Sequence, residues 1–214
     1  MPQTEGTEVQ PEKRVRLTAA KREAQLLDIA EETFSKFGYE GTTIDKIAKA
    51  SGVSRAMVYQ HHGTKDEIFL ACVRRARTLF EQALIEKIGV PSTDWDAKIE
   101  AGGRVYFELI AENPQRWRLL FATSAGVGGH LADELVQLRA HTVKMTAGAL
   151  RGYFPDAEGE TLIALASVLS GAAEQLGRWW ITDPQVSESR VLSYYVAAAR
   201  GALFEMLGLP HGMK

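Results

Sequence analysis

The 214-residue chain holds a single cysteine, Cys72. That excludes a disulfide framework and any zinc or iron–sulfur site built from several thiolates, and it fits a reducing cytoplasm, where the protein is expected to reside. No apolar run approaches the roughly 20 residues that cross a bilayer, so no membrane partner is expected. The opening MPQTEGTEVQPEKRVR has no apolar stretch after its charges, which predicts no secretory signal. Alternating apolar and polar residues, the mark of a half-buried strand, are missing. The 7 prolines and most of the 19 glycines fall between periodic segments rather than inside them. There is no internal repeat and no low-complexity tract. What remains is ordinary for a globular chain: 45% hydrophobic, 24% charged, net charge −2. The length suffices for one or two domains with a core that needs no staples.

That near-neutrality is unevenly spread. Residues 13–65 carry ten basic and six acidic side chains, whereas residues 66–214 carry fifteen and eighteen. A basic front on an acidic remainder suits a head that meets a polyanion and a body that does not.

Helical spacing dominates after a polar stretch over 1–17. A first helix is expected over 18–37, with Leu27, Ala30, Phe34 and Phe37 on one face and Gly38 as its stop. Thr43 is a suitable N-cap for a short helix over 44–50, and Ser54 for another over 55–61. Thr64 followed by Glu67 has capping-box spacing and opens a long helix to residue 88. Five further helices are expected over 94–112, 115–124, 131–154, 158–181 and 188–207, which makes nine. The fold class is therefore all-α. We divide it into an arm (1–17), a three-helix head (18–63) and a larger helical body (64–214).

The segment 44–61 is two short helices joined by a turn centred on Gly52, which is a helix-turn-helix arrangement. Ile47 and Ala48 must pack on Val53 and Val58. The second helix then projects Arg55, Ala56, Tyr59, Gln60 and His61 toward a major groove. Its N-terminal end, kept slim by Ser54 and Ala56, offers free N–H groups and a positive dipole to phosphate.

The stretch REAQLLDIAEETFSKFGYEGTTIDKIAKASGVSRAMVYQHHGTKDEIF resembles the DNA-binding domain of TetR-family transcriptional regulators. The likeness rests on Phe-Gly-Tyr, Thr-Thr, Ile-Ala, Gly-Val-Ser, Val-Tyr, His61 and Lys65-Asp66-Glu67, in unbroken register. Two positions depart from the family pattern: Ala56 stands where glycine is common, and His62 where phenylalanine usually packs under the recognition helix. The resemblance implies that Thr43 and Lys65 hold phosphates on either side of the groove, with Thr42 nearby at the DNA, and that Ser54, Tyr59 and His61 also bind the backbone. It implies that Arg55, Ala56, Met57 and Gln60 face base edges. Arg55 then suits guanine, Gln60 adenine, and Ala56 or Met57 a thymine methyl. Tyr59 also reads as partly core, and Lys21 and Arg22 read as solvated charges. Lys13, Arg14 and Arg16 form a basic arm suited to a minor groove.

Other constellations carry less. His61 and His62 are adjacent, and His130 and His141 lie about 16 Å apart along a helix, so neither pair holds a metal. The glycines at 126–129 lack the lysine and the preceding strand of a phosphate loop. Cys72 reads as a buried structural thiol, no spacing suggests a catalytic triad, and no cofactor is expected.

The last two helices are long, apolar and rich in small residues, and their apolar surface is too wide for one contact stripe. Part of it is expected to meet a second copy of the chain. In the resembled family these helices form the dimer interface, here Leu165, Leu169, Ala172, Leu176, Trp179, Trp180, Tyr195, Ala198 and Ala202. The middle helices of that family surround a ligand cavity, here expected to include Arg104, Phe107, Trp117, Phe121, His141 and Met145, with Trp95, Tyr106 and Arg118 nearby. The sequence thus points to a homodimeric regulator, a repressor more than an activator. It would bind a palindromic double-stranded DNA operator and be released by a small hydrophobic effector. The rivals are a DNA-binding protein without an effector and an enzyme on a helical body.

Overall fold

A computed structural model describes residues 18–88, 94–121 and 128–208. They form nine helices: α1 (Ala19–Gly41), α2 (Ile44–Ser51), α3 (Arg55–His61), α4 (Lys65–Ile88), α5 (Trp95–Glu112), α6 (Pro114–Phe121), α7 (Gly129–Tyr153), α8 (Gly159–Thr182) and α9 (Glu188–Leu207). No strand occurs among the described residues. None of the helices is long and apolar enough to cross a membrane. The arm 1–17, with Lys13, Arg14 and Arg16, lies outside the described residues, as does the expected end of the sixth helix at 124.

Local chemistry sets most boundaries. Thr18 caps α1, Asp94 caps α5 and Ser187 caps α9, each by accepting an N–H three residues on. The expected box closes on both sides: Glu67 N–H donates to Thr64 Oγ1 at 3.1 Å, and Thr64 N–H to a Glu67 carboxylate oxygen at 2.9 Å. Gly38 breaks α1 as expected, with φ 69°, but one more turn follows it to Gly41. The sixth helix starts one residue earlier than expected. Pro114 takes the first helical position, where its missing N–H costs nothing, and Asn113 Oδ1 accepts from Arg116 N–H at 3.0 Å.

Two apolar clusters organise the packing. The first joins α1, α2 and α3 through Phe34, Ile47, Ala48 and Val58, and is closed by Ile68, Phe69, Cys72 and Val73 of α4 with Leu119 and Leu131. The second lies among α5, α7, α8 and α9, around Phe107, Ile110, Leu162, Leu165, Val191 and Leu203. α5 and α9 approach closely at Gly103, where an added Cβ would sit 2.5 Å from the Tyr195 ring. α4 thus enters the first cluster with its N-terminal half, while Phe80 further along packs on the second. Cys72 is fully buried, its Sγ 3.9 Å from the Leu27 carbonyl oxygen, and burial pushes its thiol up to about 12.

A buried ion cluster ties α1 to α4 and α6. Glu31 is 3% exposed. It accepts from Arg75 Nε at 2.9 Å with one oxygen and from Arg116 Nε at 2.9 Å with the other. Asp28 adds a second carboxylate, 2.9 Å from Arg75 and 3.7 Å from Arg116.

Candidate nucleic-acid interface and cavity

α2 and α3 form because each has its own start and stop. Thr43 Oγ1 accepts from Lys46 N–H at 3.3 Å, and Ser54 Oγ from Met57 N–H at 3.2 Å. Between them Gly52 takes φ 64°, a left-handed conformation that glycine adopts without strain. Ile47 and Val58 are fully buried and lock the pair. Burying Val58 leaves Arg55, Ala56, Met57, Tyr59 and Gln60 exposed, with His61 half-buried. These side chains form one surface, on the face expected from the sequence.

Several of them are already held. Arg55 is paired with Asp45 of α2, both side chains being largely exposed. Lys65 Nζ donates to the Tyr39 carbonyl at 3.1 Å and lies 4.0 Å from the centre of the Tyr39 ring. The Tyr39 hydroxyl donates to Asp66, and burial together with that carboxylate raises its phenol above the usual range. Lys46 Nζ bonds the Gly41 carbonyl at 2.6 Å and sits over the Phe37 ring. Lys46 and Tyr39 flank the surface and were not singled out from the sequence. Tyr39 lies within the Phe-Gly-Tyr motif, which was the available signal.

Thr42 does not fit its expected role. It is 1% exposed, and its hydroxyl donates inward to the Gly38 carbonyl at 2.7 Å, so it supports the Gly38 break instead of reaching outward. Thr43, next to it, is exposed.

His62 caps the C-terminus of α3, its N–H donating to the Val58 carbonyl. Its Nε2 is buried and has no hydrogen-bond partner. Burial lowers its pKa below 6.5, with His61 adding to that and Glu23 and Glu67 opposing it.

A cavity of about 730 Å³ lies between α4, α5, α7 and α8 and opens to the surface. Trp117 and Met145 line it, as expected from the sequence, together with Phe80, Trp95, Ile99 and Tyr106. Three expected residues lie elsewhere. Arg104 is exposed and pairs with Glu100 one turn back at 2.7 Å, because helical spacing puts both on the outer face of α5. Phe107 is fully buried against the Trp180 and Tyr195 rings. His141 is exposed on α7. The side chain of Phe121 lies outside the described residues. One end of the cavity carries charge that sequence reading missed, namely Arg77, Arg139 and Glu174 from three different helices. No signal in one dimension marks them, since each sits in an otherwise ordinary helical repeat.

The expected interface residues divide. Leu165, Leu169 and Tyr195 are at most 9% exposed and belong to the core of a single chain. Ala172, Leu176, Trp180 and Ala202 are half-buried against that core. Trp179 and Ala198 are exposed. The wider apolar side of each helix turns inward onto α5 and α7, leaving a narrower outer stripe. That stripe carries Ile163, Val168 and Trp179 on α8, each about two-fifths exposed, and Tyr194, Ala198 and Gly201 on α9.

Among the described residues no group of three or more potential ligands is placed to hold a metal ion.

Residues 26–72 match the profile described as bacterial regulatory proteins, tetR family. A curated relative, the HTH-type transcriptional activator FasR of Mycolicibacterium smegmatis, is 32% identical over 106 residues. The match covers 50% of this chain and 48% of FasR, so the chain spans about half the length of that relative. Among solved structures, a TetR-like transcriptional regulator from Rhodococcus sp. RHA1 superposes with a TM-score of 0.72 at 23% identity, covering 88% of this chain and 98% of that one. AibR, solved in complex with isovaleryl coenzyme A and operator DNA, superposes with a TM-score of 0.67 at 17% identity, covering 82% and 96%. These two likenesses concern the fold.

Proposed function

We propose that the chain is a TetR-family transcriptional regulator, a dimeric repressor that binds a palindromic operator and leaves it when a small, mostly apolar effector fills the body cavity; the match of residues 26–72 to the tetR-family profile and the likeness to FasR support this. In this reading residues 18–63 are the DNA-binding head and residues 64–214 the effector and dimerisation body.

One observation carries the coupling: a single helix serves both parts. Ile68 and Phe69 of α4 complete the head core, Arg75 anchors Glu31 of α1, and Arg77, Phe80, Glu81 and Leu84 wall the cavity. A ligand that shifts the C-terminal half of α4 therefore acts on the seat of the head. Such coupling is typically about 1–3 kcal/mol and acts equally in both directions.

At the DNA, Thr43, Ser54, Tyr59, His61 and Lys65 hold phosphates, and Arg55, Ala56, Met57 and Gln60 read bases. Arg55 exchanges Asp45 for guanine, an easy exchange because the pair is solvated. The outer stripe of α8 and α9 meets a second copy. Twofold symmetry then sets two recognition helices roughly 34–36 Å apart, one turn of DNA.

The test is binding to DNA upstream of the chain's own gene, at about 150 mM salt with excess unrelated duplex, since phosphate contacts alone are salt-sensitive and unspecific. A twofold-symmetric footprint that survives competitor is expected. Arg55→Ala should lose roughly 5- to 150-fold in affinity with the fold intact, the worth of one good base contact. Failure to select any site from random DNA would overturn the reading. The FasR name favours a second reading, an activator. Transcription in vitro from the footprinted promoter separates the two by sign.

A further inference from the structure

The charged end of the cavity is out of balance. Arg139 and Arg178 share one carboxylate, Glu174, at 2.9 and 3.1 Å. Arg77 stands beside them on α4 and lines the same cavity. One of its terminal nitrogens donates to the neutral Thr142 hydroxyl, and its Nε is buried without a partner. Among the described residues no carboxylate lies within ion-pair distance of it. Glu81, one turn along α4, and Glu174 are close enough to offset its charge but not to bond it. Burial and the neighbouring Arg139 both work against its cationic form.

A guanidinium partly withdrawn from water, with its Nε buried and only a neutral hydroxyl as partner, is disfavoured, and an anion relieves that cost. The rest of the wall, with Trp95, Ile99, Trp117, Val143 and Phe154, suits an apolar body. We propose that Arg77 is the anchor for a carboxylate on the effector, so that the cavity selects amphipathic monocarboxylic acids over neutral or cationic molecules of the same shape. This rests on the effector reading above and adds the chemical class.

A monoanion fits better than a phosphate. Only one guanidinium lacks a carboxylate partner here, and its planar fork matches the two oxygens of a carboxylate. The anchor also lies two residues beyond Arg75, so an anion drawn to Arg77 acts on the helix that holds Glu31.

Calorimetric titration of the full chain tests this, with octanoate, dodecanoate and hexadecanoate as probes, each beside its primary amide and its primary amine. The carboxylate is expected to bind at least ~10-fold more tightly than the matched amide, and the amine most weakly. Arg77→Met should erase the preference for the acid while the amide binds as before, which also reports an intact cavity. Arg77→Lys should retain a preference for the acid. Equal binding of acid and amide, a preference for the amine, or an acid preference that survives Arg77→Met would overturn the inference and leave the effector reading standing. If no probe of any series binds, both fall.

Discussion

Glu31→Gln is the sharpest test of how head and body are joined. The substitution keeps the shape of the side chain and removes its charge. The carboxylate is 3% exposed and receives Nε donors from Arg75 and Arg116, both at 2.9 Å. Arg75 Nη2 makes a further ion contact at 2.7 Å. Removing one partner from a buried charge cluster typically costs about 3–5 kcal/mol, because the remaining charges stay buried unpaired. Here Asp28 still faces both guanidiniums, though its side chain is 59% exposed. We therefore expect a loss of roughly 2–3 kcal/mol for Glu31→Gln, and less than about 1 kcal/mol for Asp28→Asn. Urea unfolding followed by circular dichroism measures both, at one fixed protein concentration because association adds to apparent stability. If Glu31→Gln proves no more destabilising than Asp28→Asn, the buried cluster does not hold α1 onto α4 and α6.

Three further outcomes follow from other parts of the molecule. His62 has a folded pKa below its ordinary 6.5. As pH falls through that value the unfolded chain takes up the proton first, so stability drops until the folded imidazole also charges; His62→Phe should raise stability and flatten that acid limb in urea titrations between pH 7 and 5, and parallel curves would refute the assignment. Gly103→Ala should lower the melting temperature by an amount corresponding to about 1–3 kcal/mol, since the new Cβ meets the Tyr195 ring at 2.5 Å and must push α5 from α9. Val168→Glu, at a 44% exposed position on the outer stripe of α8, should turn the proposed dimer into a folded monomer in sedimentation; association unchanged by the substitution would move the interface elsewhere.

What was legible in the sequence was what neighbours along the chain decide. Thr43, Ser54 and the Thr64–Glu67 box act over three residues, and the structure has each bond. Gly38 and Gly52 announced their breaks because both adopt positive φ. The exposed face of α3 followed from the same local pattern, since burying Val58 dictates which faces of α3 remain. Thr42 escaped because its hydroxyl bonds backward around the Gly38 kink, a geometry that no spacing reveals. The Glu31 cluster was invisible for a different reason: its partners lie 44 and 85 residues away. Arg77 was missed likewise, since its lack of a carboxylate is a property of four helices together. On α8 and α9 the residue types were read correctly as apolar and small. Which side turns inward is decided by α5 and α7, and so Leu165, Leu169 and Tyr195 were assigned to the wrong partner.

The sharing of α4 bears on how such a protein exchanges parts. A hybrid cut at residue 63 would take the head without Ile68 and Phe69, leaving Phe34 and Val58 without their covering side chains. It would also strand a buried carboxylate away from both its arginines. A working graft must place the seam beyond Arg75, and the recipient must offer an arginine where Arg116 stands. In descent, the same constraint means that a new body can be acquired only together with those two positions, so that α1 and its distant arginines are inherited as one unit.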